Sequence, residues 1–206
     1  RVVAEITHQG GKAIAVQADM ASEDAIVAMF SRCDAELAPL GGLVNNAGFL
    51  GGESYIEDFD AHAMRQLWDV NVVAYFICAR EAVRRMSSKR GGAGGAIVNV
   101  SSMSADSGGI GPRAHYATTN GARRTFTFAL AKQVGPLSFG SMASCRASST
   151  RTSTMISTMQ AATRGSRCRF RWGAWAPALM SATSTCQVPA PSISKLAGPW
   201  PDAAAR

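Results

Sequence analysis

Three short apolar runs, "AIAVQA" (13–18), "GLVNN" (42–46) and "AIVNVSS" (96–102), recur along the chain, each bounded by glycine or polar turn residues. Runs of this length, without alternation, read as strands buried on both faces, the habit of parallel sheets. Longer stretches of helical period lie around and between them, at about 2–9, 22–38, 61–87 and 115–135. Ser22, followed by Glu23 and Asp24, marks one helix start, with carboxylates where the helix dipole favours them. Strands alternating with helices predict an α/β fold, a doubly wound parallel sheet.

This pattern stops after Leu137. The 206 residues, 47% of them apolar, suffice for one domain with a sizeable core. Residues 138–206, however, hold 19 Ser or Thr among 69 residues and three of the four tryptophans, with no sustained period of 2 or 3.6. They are expected to form an irregular tail beside a partial domain at 1–137. The +7 formal charge belongs to that tail: residues 1–137 carry 13 Lys+Arg against 13 Asp+Glu, whereas 138–206 carry 8 basic residues and one acid, Asp202. The five cysteines have neither zinc-ligand nor disulfide spacing, so no metal is expected. Without a signal-like or membrane-length apolar run, a soluble cytoplasmic protein is expected.

Three segments carry candidate chemistry. "LVNNAGF" (43–49) puts Asn45, Asn46, Ala47 and Gly48 just past a buried strand, at the carboxyl edge where nucleotides lie in doubly wound sheets. An ordinary strand-to-helix turn favours the same residues. In "MRQLWDVNVVAYFICAREA" (64–82), Asn71 falls within an apolar stripe, so it is either a satisfied core amide or part of a site. "IVNVSSMSADSGGIGPRAHY" (97–116) runs from a strand ending at Ser102 to Tyr116 at the next helix start. Both hydroxyls would reach one strand edge, as a carbonyl-polarising group and a proton donor must. The alternative is a Ser-rich loop with a helix-capping tyrosine. His8, His62 and His115 share no ligand or triad spacing.

Taken in order, Asp19 after "AIAVQAD", N-N-A-G at 45–48, Asn71 in "DVNVVAYF", "IVNVSS" ending at Ser102, and Tyr116 with its following "FALAKQVGP" give a chain that resembles the short-chain dehydrogenase/reductase family over about residues 1–137. The resemblance implies a Rossmann-like sheet, incomplete here, and NAD or NADP as cofactor. Asp19 would meet the adenine edge and Asn45, Asn46, Ala47 and Gly48 the adenosine. Tyr116 would exchange a proton with a small-molecule alcohol or ketone, supported by Ser102 and Asn71. Homo-oligomers built on the long helices are also implied.

Three departures from the family pattern stand out. The family's lysine, four residues after the tyrosine, is Asn120 here. A cation about 4 Å away at an effective dielectric near 20 contributes roughly 4 kcal/mol, or about 3 pKa units, toward lowering a tyrosine from about 10. Asparagine supplies no charge. The family's opening strand and T-G-x-x-x-G-x-G turn are not in these residues, since the text starts within the helix that would precede the third strand. After Leu137 the family pattern returns only in a shifted reading frame across 139–156 and 169–177, so an out-of-frame tail is expected. The chain as written is therefore expected to be catalytically inactive and, with open sheet edges, marginally stable. A pseudoenzyme pairing through helices 61–87 and 115–135 is the alternative; nucleic-acid binding through the basic tail is the least favoured.

Overall fold

The computed structural model describes residues 2–135, 143–147 and 186–187. Helix α1 (Val2–His8) opens the chain, and α2 (Glu23–Glu36) begins where Ser22 caps it, its hydroxyl accepting the Ala25 N–H at 3.3 Å. Strand β1 (Gly42–Asn45) leads to α3 (Ala61–Trp68), capped by the Asp60 carboxylate, then to a π-helical turn at Asp69–Val73 and α4 (Ala74–Met86). Strand β2 (Ala96–Ser102), the short α5 (Ser104–Ser107) and the long α6 (Ala114–Val134) follow. Two further strands are described, β3 (Ala143–Ala147) and β4 (Cys186–Gln187).

The sheet order is β1-β2-β3-β4. β1 lies parallel to β2 with Gly42 opposite Ala96, β2 parallel to β3, and β4 antiparallel to β3. Helical crossovers between the parallel strands give the expected α/β fold. One core joins α2, α4, β2 and α6 through Ile26, Phe30, Tyr75, Ala82, Met86, Ile97, Phe126 and Leu130. The small side chains of Ala74, Cys78, Ala79 and Ala82 bring α4 close to the sheet.

Three expectations change. Residues 13–18 form no strand. From Ile14 to Met20 the strand-like alternation of exposure persists, with Ala15, Gln17 and Asp19 outward, but no described strand lies alongside to take up the backbone groups. The single helix read at 61–87 is interrupted by the π turn around Asn71. Of the tail expected to be irregular, the described residues are β3 and β4, and β3 extends the parallel sheet; the rest of 138–206, including most of the shifted-frame segments, lies outside the described residues.

Candidate active site

Side-chain hydrogen bonds lock α6 onto β2. Asn99 donates to Thr127 Oγ1 at 3.0 Å, and Ser101 Oγ donates to the Asn120 carbonyl at 3.0 Å. Later residues of the strand thus meet earlier residues of the helix, so the two run antiparallel. One step further along each, Ser102 ends β2 and Tyr116 occupies the first turn of α6. The two hydroxyl residues are in this way brought to the carboxyl edge of the sheet. Ser102 Oγ accepts the Ser104 N–H at 3.2 Å. Tyr116 is half-buried, and its hydroxyl has no hydrogen-bond partner among the described residues.

Asn71 belongs to the same edge. It is fully buried in the π turn; its Oδ1 accepts the Phe49 N–H at 3.0 Å and its Nδ2 donates to the Phe49 carbonyl at 2.9 Å. A second bond from Nδ2 reaches Thr119 Oγ1 on α6 at 3.3 Å. One amide therefore fastens the loop after β1 to two helices. Both alternatives of the sequence apply to Asn71: it is a satisfied buried amide, and it sits at the candidate site.

The loop residues Asn46, Ala47 and Gly48 are exposed beyond β1. Asn45 turns inward instead, donating to Asn99 Oδ1 at 2.9 Å in a buried relay that continues to Thr127. Asp19 is exposed, its carboxylate accepting the Ala21 N–H at 2.9 Å, with no hydrogen bond to this cluster among the described residues. Asn120 is fully buried; its Nδ2 donates back to the Tyr116 carbonyl at 2.9 Å. His115 Nε2–H donates to the Gly52 carbonyl, 3.0 Å away, and holds the loop that follows Gly48.

Sequence reasoning passed over Arg123, which is only 4% exposed. Its Nε–H donates to the Asn71 carbonyl at 2.5 Å, entering the helix where the π turn alters the backbone ladder. Longer contacts run from Nη1 to the Val100 carbonyl (3.4 Å) and Asn120 Oδ1 (3.5 Å), and from Nη2 to the Ala47 carbonyl (3.4 Å). The guanidinium also lies 4.4 Å over the Tyr75 ring. Burial pulls the guanidinium below its ordinary range, opposed by Tyr75 and Tyr116. Tyr75 is pushed up to about 12, chiefly by burial, with Arg123 acting in the opposite direction. The available signal was positional: Arg123 follows Tyr116 by seven residues and Asn120 by three, on the face that helical period buries.

Comparison with known proteins adds ancestry to this geometry. A family model described as short chain dehydrogenase matches residues 1–160, carrying the match past Leu137. The uncharacterized oxidoreductase YgfF of Escherichia coli (strain K12) is 46% identical over 129 residues, 63% of this chain and 52% of that protein. A short-chain dehydrogenase/reductase from Serratia marcescens BCRC 10948 superposes with a TM-score of 0.63 at 28% identity, covering 69% of this chain and 55% of that one. A 7 alpha-hydroxysteroid dehydrogenase, solved with NADH and 7-oxo glycochenodeoxycholic acid, gives a TM-score of 0.60 at 26% identity over 69% of this chain and 52% of its own. The chain spans about half the length of these relatives.

Proposed function

Because the chain belongs to the short chain dehydrogenase family, we propose that the protein of which these residues form part is an oxidoreductase interconverting an alcohol and a ketone, with NAD or NADP as cofactor. The relatives' names and the NADH complex among them support this reading. The carrying observation is that Tyr116, in the first turn of the helix locked onto β2 through Ser101 and Asn120, has no hydrogen-bond partner for its hydroxyl among the described residues, while Ser102 ends β2. The exposed turn at 46–48 fits a nucleotide: a Cβ on Gly48 would fall 2.9 Å from Asn71 Oδ1, so only glycine leaves this cradle its shape. Asn46, Ala47 and Gly48 would line the adenosine, Asn45 would hold that turn from within, and Asp19 would meet the adenine edge.

A nicotinamide cofactor held at this edge would supply or accept the hydride. Tyr116 gives the proton to the carbonyl oxygen in reduction and takes it back in oxidation, while Ser102 polarises that oxygen. Asn71 fixes the loop and helix that frame the reaction. Asn120 anchors the first turn of α6 through the Tyr116 carbonyl but brings no charge. The test is the rate of NADH or NADPH oxidation against a panel of cyclic and aliphatic ketones. Tyr116→Phe is expected to lower kcat/KM by about 100-fold or more; an unchanged rate would remove Tyr116 from the chemistry.

A second reading, self-association, is favoured by the outer faces of α4 and α6. They enclose an apolar groove of about 740 Å³ lined by Trp68, Val72, Phe76, Phe126, Leu130 and Val134. Phe76 is 51% and Phe128 45% exposed. We infer that a second copy covers this face, whether or not hydride transfer occurs. Phe76→Asp should convert a dimer to a monomer in light scattering, and a dimer that persists would place the contact elsewhere.

A further inference from the structure

The sequence poses a question at position 120: a tyrosine that trades protons near neutral pH needs a neighbouring cation, and Asn120 is neutral. We propose that Arg123 occupies the cation position of this site, one helical turn beyond Asn120, and serves as the positioning residue that gives Tyr116 its positive neighbour.

Four observations carry the assignment. First, the guanidinium is buried at the sheet edge itself, in contact with groups from each element that frames it: the Ala47 carbonyl after β1, the Asn71 carbonyl in the π turn, the Val100 carbonyl in β2 and Asn120 on α6. Second, Nη1 lies 3.5 Å from Asn120 Oδ1, the tip of that side chain, so a positive charge stands beside position 120. Third, every acceptor is neutral. Among the described residues no carboxylate pairs with Arg123; the titratable groups facing it are Tyr75 of α4 and Tyr116 of α6. An arginine retained for stability alone would be expected to have an acidic partner, as Arg80, Arg84 and Arg85 do in Glu81. Fourth, Asn120 bridges the two residues, accepting from Arg123 and donating to the Tyr116 carbonyl.

This inference rests on the oxidoreductase reading for its purpose, but not for its test. Asn120→Lys puts a second cation beside the guanidinium, while Asn120→Lys combined with Arg123→Met leaves one. If Arg123 holds the cation position, Asn120→Lys lowers Tm by about 4 °C or more in the otherwise unchanged chain and costs at least that much less in the Arg123→Met background. Arg123→Lys, which keeps the charge, should preserve the penalty. Equal losses in all three backgrounds would overturn the proposal whether or not the protein turns over substrate.

The pH profile of alcohol oxidation then reads the role. Arg123→Met should move the rising limb to higher pH, and either Arg123→Lys or the Asn120→Lys/Arg123→Met pair should return it. A profile that stays in place in Arg123→Met would overturn the assigned role, leaving a buried arginine without electrostatic influence on the reaction. Coupling in Tm without hydride transfer in any variant would keep the cation position and defeat the oxidoreductase reading instead.

Discussion

Arg123 and Gly48 form a close-fitting pair, and each limits what the other can be. A Cβ at position 48 would lie 2.5 Å from Arg123 Nη2 and 2.9 Å from Asn71 Oδ1. A side-chain tip can usually move aside, but this guanidinium is caged by three carbonyls and the Tyr75 ring, and Asn71 is held by both polar groups of Phe49. Gly48→Ala is therefore expected to cost about 1–3 kcal/mol in urea unfolding. Most of that loss should disappear when Arg123→Met is present, because the first clash is with the guanidinium; a loss independent of residue 123 would point to Asn71 as the rigid partner. The sequence made Gly48 visible as a turn residue and Tyr116 as a hydroxyl at a helix start. Helical period alone set Arg123 on the buried face below Tyr116, but it gave no hint that the guanidinium would reach Gly48, since that contact crosses 75 residues.

At the scale of elements, α4 owes its place to charge on its outer side as well as to the core. Glu81, only 4% exposed, accepts from Arg80 (3.0 Å), Arg84 (2.9 Å) and Arg85 (2.8 Å), and Arg85 continues to Asp34 on α2 at 2.8 Å. Burial pushes the Glu81 carboxyl up, but hydrogen bonds from Arg85 and Arg80 and the Arg84 charge outweigh it, leaving the group below the usual carboxylate range. Its contribution is therefore present above that range and lost as pH falls through it. Glu81→Gln is expected to lower stability by about 1–3 kcal/mol, below the figure for a fully buried pair because the arginines are 21–53% exposed. Chemical denaturation at pH 7 measures this, and a change below about 0.5 kcal/mol would show that the arginines are solvated well enough without it. The helices themselves were legible from period and capping, with Ser22 holding α2 as its position suggested. The π turn was not, because local propensity carries no term for an arginine that enters the ladder from another helix.

For the molecule as a whole, the core formed by the described residues contains two buried weak acids that the fold keeps protonated. Tyr75 is pushed up to about 12 and Cys78 to about 11, both mainly by burial. The unfolded chain releases these protons near pH 10 and 9, so the stabilisation is complete below about pH 9 and is lost as pH rises toward 12. A two-unit shift corresponds to about 2–3 kcal/mol for each group. Thermal melts between pH 8 and 11.5 should fall steeply, and Cys78→Ala should delay the onset by about one pH unit; a flat profile would mean that water reaches both side chains. What the sequence by itself determined is the alternation of strand and helix and the strands at 42–45 and 96–102, buried as members of a parallel sheet. These follow from periodicity and turn chemistry, which act over a few residues. Only the tertiary structure decided that 13–18 would have no partner strand among the described residues, that Asn45 would face inward, and that the Arg123 guanidinium would lie against the side chain at position 120. Those outcomes depend on which neighbour supplies a hydrogen bond or excludes water, and that is fixed when distant segments pack.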